Sequence, residues 1–250
     1  MRITKKGSVI QLAFLPALFP VNCYLVEEED GLTLIDAALP YSGKAILRAV
    51  GRLGKPIGRI VLTHAHEDHI GALDALKKEL PDARVFISAR DARLLAGDRS
   101  LEKNEPQTPV KGGVPKRNSV TTRPDVLLND GDRIGSLLAV SAPGHTPGSM
   151  AFFDTRDRSL VAGDAFQTRG GVAVSGVMKP WFPFPALATW DKDSALASAR
   201  RLLDLRPTLL AVGHGRMLEA PESAMRQAIA EAEDAWGGRS ITKRGGGEHA

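Results

Sequence analysis

One stretch, Thr63-His64-Ala65-His66-Glu67-Asp68-His69-Ile70-Gly71, constrains this chain more than any other. It follows a short apolar run, residues 59–62, of the kind that forms a buried parallel strand. It precedes residues 71–80, whose apolar positions recur at helical spacing. Strand, polar loop and helix in that order place the cluster beyond the carboxyl end of a strand, where open α/β sheets build their sites. The chain has six histidines and three of them fall within six positions here, which a merely solvated loop does not require. Neutral imidazoles beside carboxylates suit a borderline divalent metal such as zinc. His64 and His66, two residues apart on an extended segment, can turn to one side and pinch one ion. Asp68 and His69 follow as the chain enters the helix and are placed for a second.

The rest of the chain repeats this arrangement. Residues 8–15, 21–27 and 32–36 read as strands joined by turns, and the third ends in Asp36, whose ordinary role would be a cap or a turn former. Ser42 opens a helix to about Leu53. After the histidine loop come a strand over 83–88 and a short helix from Asp91 to Leu95. Residues 98–124 are polar, rich in Pro, Gly, Lys and Arg, and lack periodicity. A loop this long is functional or mobile and is expected to cross the surface near the site mouth. Four short strands, 126–128, 137–140, 150–153 and 159–162, then carry Pro143-Gly144-His145-Thr146-Pro147-Gly148-Ser149 and Gly163-Asp164 on their connecting loops. Residues 167–188 form a Gly-, Pro- and aromatic-rich loop. An amphipathic helix over 191–205, a strand over 209–212 delivering Gly213-His214-Gly215, and a last helix over 221–236 complete the chain. The tail from about 240 to 250, with His249, is expected to be frayed.

Composition narrows the alternatives. The 250 residues fit one α/β domain with a sizeable core. No apolar run reaches the ~20 residues that span a bilayer, and the broken apolar stretch after the basic N-terminus reads as a strand and not as a signal peptide. The lone cysteine, Cys23, excludes an internal disulfide and agrees with a cytoplasmic location. The net charge is +4 and the pI near 9.3. The cations are scattered except over 111–123 and at Arg200-Arg201, so nucleic acid is not the expected partner. A small molecule is, with no membrane partner, and a homodimer is compatible with the chain.

In order, H-x-H-x-D-H at 64–69, the His145 of P-G-H-T-P-G-S, the Asp164 of G-D and the His214 of G-H-G resemble the motifs of the metallo-β-lactamase-fold hydrolase superfamily, and the strand ending in Asp36 resembles its first motif. The resemblance spans about residues 8–216. It implies one α/β (α+β) domain over 1–250, a four-layer αβ/βα sandwich of the metallo-β-lactamase fold with a dinuclear site at one edge of two sheets. By position, His64, His66 and His145 resemble the ligands of a first metal, and Asp68, His69 and His214 those of a second. Asp164 matches the carboxylate that bridges both, and Asp36 the residue behind the ligands that orients their loop. The implied cofactor is a pair of zinc ions, with iron or manganese as alternatives. Between them a bridging hydroxide would attack an electrophilic carbon or phosphorus, with Asp68 handing a proton to the leaving group.

The resemblance favours a small ester, lactone or thioester. True β-lactamases of the fold generally lack the bridging Asp or carry a Cys ligand, and neither holds here. The glutathione-gripping helical domain of glyoxalase II-like thioesterases does not fit into the stretch after His214. The lactonase Tyr, three residues past the bridging Asp, is replaced by Gln167. Trp181, Phe182 and Phe184 offer an apolar wall for an acyl chain or ring, and Arg169 and Lys179 are cations that a substrate carboxylate can meet. Two rival readings are a mononuclear iron oxidoreductase like the persulfide dioxygenases, and a phosphodiesterase or RNA-processing hydrolase.

Overall fold

A computed structural model describes residues 1–237 of the chain. Its first sheet has seven strands in the order of the sequence: β1 (Arg2–Lys6), β2 (Val9–Phe14), β3 (Val21–Glu28), β4 (Gly31–Ile35), β5 (Ile57–Val61), β6 (Arg84–Ser88) and β7 (Val126–Leu128). β1 to β4 are antiparallel neighbours, and β4 to β7 run parallel. The parallel half needs crossovers. Helices α1 (Gly43–Leu53), α2 (Glu67–Ile70), α3 (Leu73–Glu79) and α4 (Asp91–Leu95) supply them, and the segment 98–124 makes the last.

The second sheet is built from β8 (Arg133–Ile134), β9 (Leu137–Ser141), β10 (Met150–Asp154) and β11 (Ser159–Val161), then, beyond a small ribbon of β12 (Phe166–Gln167) and β13 (Ala173–Val174), β14 (Leu209–Ala211) and β15 (Leu218–Glu219). β11 and β14 are parallel and the other pairs of this sheet antiparallel. Helices α5 (Phe184–Ala188), α6 (Lys192–Asp204) and α7 (Glu222–Gly237) belong to this half.

Strand alternation explains why there are four layers. Side chains of period two put Tyr24, Val26, Ile35, Val61 and Phe86 on one face of the first sheet, packed against Leu137, Ala139, Met150, Phe152, Leu209 and Ala211 of the second. The alternate set, Cys23, Leu25, Leu34, Ile60, Val85 and Ile87, packs against Ile46, Val50, Leu73, Leu76 and Leu94 of the helices. On the far side, Val140, Ala151, Leu160, Leu210 and Val212 meet Ala195, Ala199, Leu202, Met225 and Ala232. Both sheets are thus covered on both faces, which is the helix–sheet–sheet–helix sandwich.

Several elements differ from the sequence reading. The basic N-terminal residues form a strand, β1, at the sheet edge. β8, β12, β13 and β15 are each two residues long, too short to carry a period. Residues 98–124 are irregular, yet they are anchored: Arg90 grips Glu105 with two nitrogens at 2.6 and 2.9 Å, Asp74 accepts from the Thr121 and Thr122 amides at 2.9 and 2.7 Å, and Val110 and Val114 are buried. The 240–250 tail and His249 lie outside the described residues. No described helix is long and apolar enough to cross a membrane.

Candidate metal centre

The polar residues singled out from the sequence come together at one edge of the sandwich. Four strands run into that edge. β4 delivers Asp36, β5 delivers residues 63–69, β11 leads into a single 3₁₀ turn, Gly163–Ala165, that holds Asp164, and β14 delivers His214. His145 comes from the β9–β10 loop. Asp36 has φ 62, a left-handed conformation that costs a non-glycine residue and persists only where its surroundings demand it. Its carboxylate supplies the demand. Oδ1 accepts from the Thr63 amide at 2.8 Å, and Oδ2 accepts from Thr63 Oγ1 at 2.8 Å and from His69 Nδ1 at 2.7 Å.

Each histidine has one ring nitrogen committed outward, and the partner decides the tautomer. His66 Nε2 lies 2.9 Å from the Lys111 carbonyl and His214 Nδ1 2.7 Å from the Pro20 carbonyl, so both must donate there. His69 Nδ1 donates to Asp36. Thr63 Oγ1 spends its proton on Asp36, so it accepts from His64 Nδ1 at 3.0 Å. The Thr189 hydroxyl donates to the Pro185 carbonyl at 2.7 Å, leaving Ser175 Oγ to donate to Thr189 at 2.8 Å and to accept from His145 Nδ1 at 3.0 Å.

In their neutral forms the five remaining ring nitrogens therefore turn lone pairs inward, toward two carboxylates, Asp68 and Asp164. His66 Nδ1 and His145 Nε2 are 3.0 Å apart, which between two lone pairs is repulsive. His145 Nε2 and His214 Nε2 each lie 3.2 Å from Asp164 Oδ2. His69 Nε2 is 3.5 Å from Asp164 Oδ1, and His214 Nε2 is 3.4 Å from Asp68 Oδ2. The donor atoms fall into three groups, each within 4.8 Å: His64, His66 and His145; His64, His69 and Asp164; Asp68, His69 and His214. Buried His64 Nε2, His69 Nε2 and Asp164 Oδ1 have no hydrogen-bond partner among the described residues. Orphaned buried acceptors are costly, about 1–3 kcal/mol each. A set with acceptors only is what divalent cations fit.

Electrostatics divides the cluster in two. Burial, reinforced by the neighbouring imidazoles, pushes His64 well below the usual histidine range. His66 is lowered by burial, and burial takes His145 down to about 3. Burial acts on His69 and His214 in the same sense, but Asp164 outweighs it. His69 is held well above its ordinary value, and His214 is pushed up to about 10. Burial alone would raise the Asp68 carboxyl, but His69 and His214 hold it well below the carboxylate range.

The floor of the site leaves no room for a larger residue at Gly213, where a Cβ would lie 2.0 Å from Asp164 Oδ1 and 2.7 Å from the His69 ring. A cleft of ≈ 360 Å³ opens above, lined by Asp68, Asp164 and His214 and walled by Phe19, Phe184, Pro185 and Leu187. Of the aromatics expected as a wall, Phe184 lines this cleft. Phe182 is buried behind it, its ring centroid 5.4 Å from that of His214. Trp181 is 87 % exposed and is not part of the lining, because the tight turn before α5 points it to solvent. Phe19 was not anticipated, yet its ring sits 4.9 Å from Phe184 and 5.5 Å from His214. Lys179 is engaged by Glu231 at 2.5 Å. Gln167 spends its amide on the Arg169 and Phe182 carbonyls.

Asp91 also went unread in the sequence, where it passes for a helix-start residue. It is fully buried. Oδ2 accepts from the Ala65 amide at 3.0 Å and Thr146 Oγ1 at 2.8 Å, and Oδ1 from the Gly148 amide at 2.8 Å. One carboxylate thus ties the 63–69 loop to the His145 loop. Burial raises its pKa to about 6 against those bonds. The His214 hairpin is held in a similar way, with the Val212 carbonyl accepting from Tyr24 Oη at 2.6 Å and from Asn22 Nδ2 at 2.8 Å.

Comparison with known proteins agrees with this geometry. A family model described as the metallo-beta-lactamase superfamily matches residues 16–214. Uncharacterized protein YobT of Bacillus subtilis (strain 168) is 60% identical over 93% of this chain and 99% of its own. The acyl-coenzyme A thioesterase MBLAC2 of Gallus gallus is 30% identical over 74% of this chain and 67% of its own. Among solved structures, TTHA1623 in a di-iron-bound form is 29% identical with a TM-score of 0.64, covering 86% of this chain and 96% of that one.

Proposed function

Since this chain belongs to the metallo-β-lactamase superfamily, we propose that it is a hydrolase that cleaves a small ester, lactone or thioester with two divalent metal ions, zinc in the first instance. The observation that carries this reading is the convergence of five imidazole nitrogens and two buried or half-buried carboxylates, Asp164 and Asp68, none of which donates when the imidazoles are neutral. His64, His66 and His145 would hold one ion, and Asp68, His69 and His214 the other, with Asp164 reaching both. Two such ions supply a Lewis acid for the substrate carbonyl and a water whose pKa is lowered toward neutrality.

The chain's own residues do the rest. Phe19, Phe184 and Leu187 take the apolar part of the substrate and exclude water from one side of the cleft. Asp36, Thr63, Ser175 and the Lys111 and Pro20 carbonyls fix the imidazole planes, so no reorganisation is needed at the moment of reaction. Asp68 is the most exposed of the donor residues. It faces this cleft and a second of ≈ 550 Å³ on its other side. Its carboxylate Oδ2 is the group placed to take a proton from the attacking water and return it to the departing alkoxide or thiolate.

Thioesters are favoured within the class by the likeness to an acyl-coenzyme A thioesterase. A di-iron form of a similar structure keeps iron open as the resident metal. The complete Asp68, His69 and His214 set speaks for two ions and against a single-iron oxygenase. The testing experiment is metal analysis of the purified protein followed by a panel of lactone, thioester, phosphodiester and β-lactam substrates. Turnover of the first two with two ions per chain supports the reading. Turnover of phosphodiesters alone, or oxygen consumption with a thiol substrate, overturns it.

A further inference from the structure

A second cleft lies on the other side of the His214 loop, and its chemistry is the opposite of the metal centre's. It measures ≈ 420 Å³ and is lined by Arg2, Arg169, Arg216 and loop glycines including Gly215. It adjoins a smaller cavity of ≈ 250 Å³ that shares Arg2 and Arg216 and adds Thr4 and Lys6. Among the described residues no carboxylate lines either cavity.

The cations there are under-used. Among the described residues the Arg216 guanidinium has no hydrogen bond or ion pair. Arg2 has none either, and its Nε is buried without a partner. Arg169 spends one nitrogen on the Ala17 carbonyl at 2.6 Å, and Lys6 pairs with Glu219 from outside the lining. Edge strand β1 is built for this arrangement. Its alternation is reversed from that of an ordinary half-buried strand: Arg2, Thr4 and Lys6 turn inward, while Ile3 and Lys5 face solvent. Guanidiniums brought together without counter-charge repel one another, and a partly buried donor without an acceptor costs free energy. Both penalties vanish when an oxyanion enters. The planar forks of arginine match the tetrahedral oxygens of phosphate, and three arginines exceed what a single carboxylate needs.

We propose that this cleft is a binding site for a phosphate-type oxyanion, separate from the metal centre. The proposal stands on the geometry of β1 and the 168–172 and 215–218 segments and holds whatever bond the metal centre cleaves.

The test is titration of the full-length, metal-loaded protein with inorganic phosphate, sulfate and acetate at constant ionic strength, read by calorimetry or thermal shift. Sulfate copies the tetrahedral dianion and is a poor metal ligand, so it reports on this cleft and not on the metal pair. Wild type is expected to bind phosphate and sulfate saturably. Arg216→Gln and Arg2→Gln are each expected to weaken that binding about tenfold or more, and acetate to bind far more weakly. The Arg216 guanidinium has no hydrogen bond or ion pair among the described residues, and its carbonyl, which accepts from Thr168 Oγ1 at 2.8 Å, is kept in the Gln variant, so the replacement is expected to leave the fold intact, and circular dichroism checks both variants. Equal phosphate and sulfate affinity in wild type and both variants, acetate binding as tight as sulfate, or no saturable sulfate binding would each overturn the proposal.

Discussion

Single carboxylates that never face a substrate set the geometry of this site. Asp36 and Asp91 each accept three hydrogen bonds from the loops that carry the histidines. Removing such a partner usually costs 10- to 100-fold in metal affinity. Asp36→Ala and Asp91→Ala are therefore expected to weaken metal binding by about that factor in a chelator competition. Asp91→Asn is the sharper variant. Its amide must turn a donor toward either the Gly148 amide or the Ala65 and Thr146 donors, so it is expected to lose affinity as well, although its size is unchanged. Asp68→Asn, by contrast, is expected to lower turnover far more than metal content, and unchanged turnover with intact metal would remove Asp68 from proton transfer. A pH effect belongs at this scale too. His214 sits at about 10 in the folded metal-free protein against ~6.5 in an unfolded chain. Its raised value stabilises the metal-free fold fully below ~6.5, and that contribution is lost as pH rises through about 10. An ion must displace this proton, so metal affinity is expected to rise with pH, and calorimetry in buffers of different ionisation enthalpy is expected to record proton release on loading.

At the scale of the element, the segment 98–124 has a definite task. Lys111 offers its carbonyl to His66, the Gly113 carbonyl accepts from the Glu67 amide at 2.7 Å, and Gly112 has φ 80 with its missing Cβ 2.5 Å from the His66 ring. Gly112→Ala is both strained and obstructed, so it is expected to displace His66 and lower metal occupancy, measured by metal analysis beside an unaltered far-ultraviolet dichroism spectrum. The segment's place near the site mouth was legible in the sequence, but these contacts were not, because they are made by backbone atoms in a stretch without period. The strands that carry ligands were legible, since their apolar runs end at the chemistry they deliver. β1 was not, since its inward face is basic. The loop 167–188 conceals α5 and the β12–β13 ribbon for a related reason: Gly170, Gly171 and Pro183 dominate its local signal, while its aromatics take opposite fates, Phe182 buried and Trp181 exposed.

Across the whole molecule, the two sheets hold the site by meeting at a shared apolar layer. Phe152, fully buried between them, is expected to cost about 3–5 kcal/mol when truncated to Ala, whereas Trp181→Ala is expected to stay within about 0.5 kcal/mol, both read from urea unfolding of the metal-loaded protein. The seven converging residues were legible as a set because each stands just past an apolar strand, and a sandwich collects such strand ends at one edge. What the sequence withheld was the supporting layer of Ser175, Thr189, Asp91 and backbone carbonyls, whose partners lie tens of residues away and whose types are common everywhere. The central claim, that these seven side chains hold a pair of ions, is tested most directly by anomalous diffraction from crystals of the purified protein, collected on either side of the metal absorption edge. The account predicts two peaks, one among His64, His66 and His145 and one among Asp68, His69 and His214, with Asp164 between them. A single peak at the first position, or none after growth with zinc, iron or manganese, would contradict it.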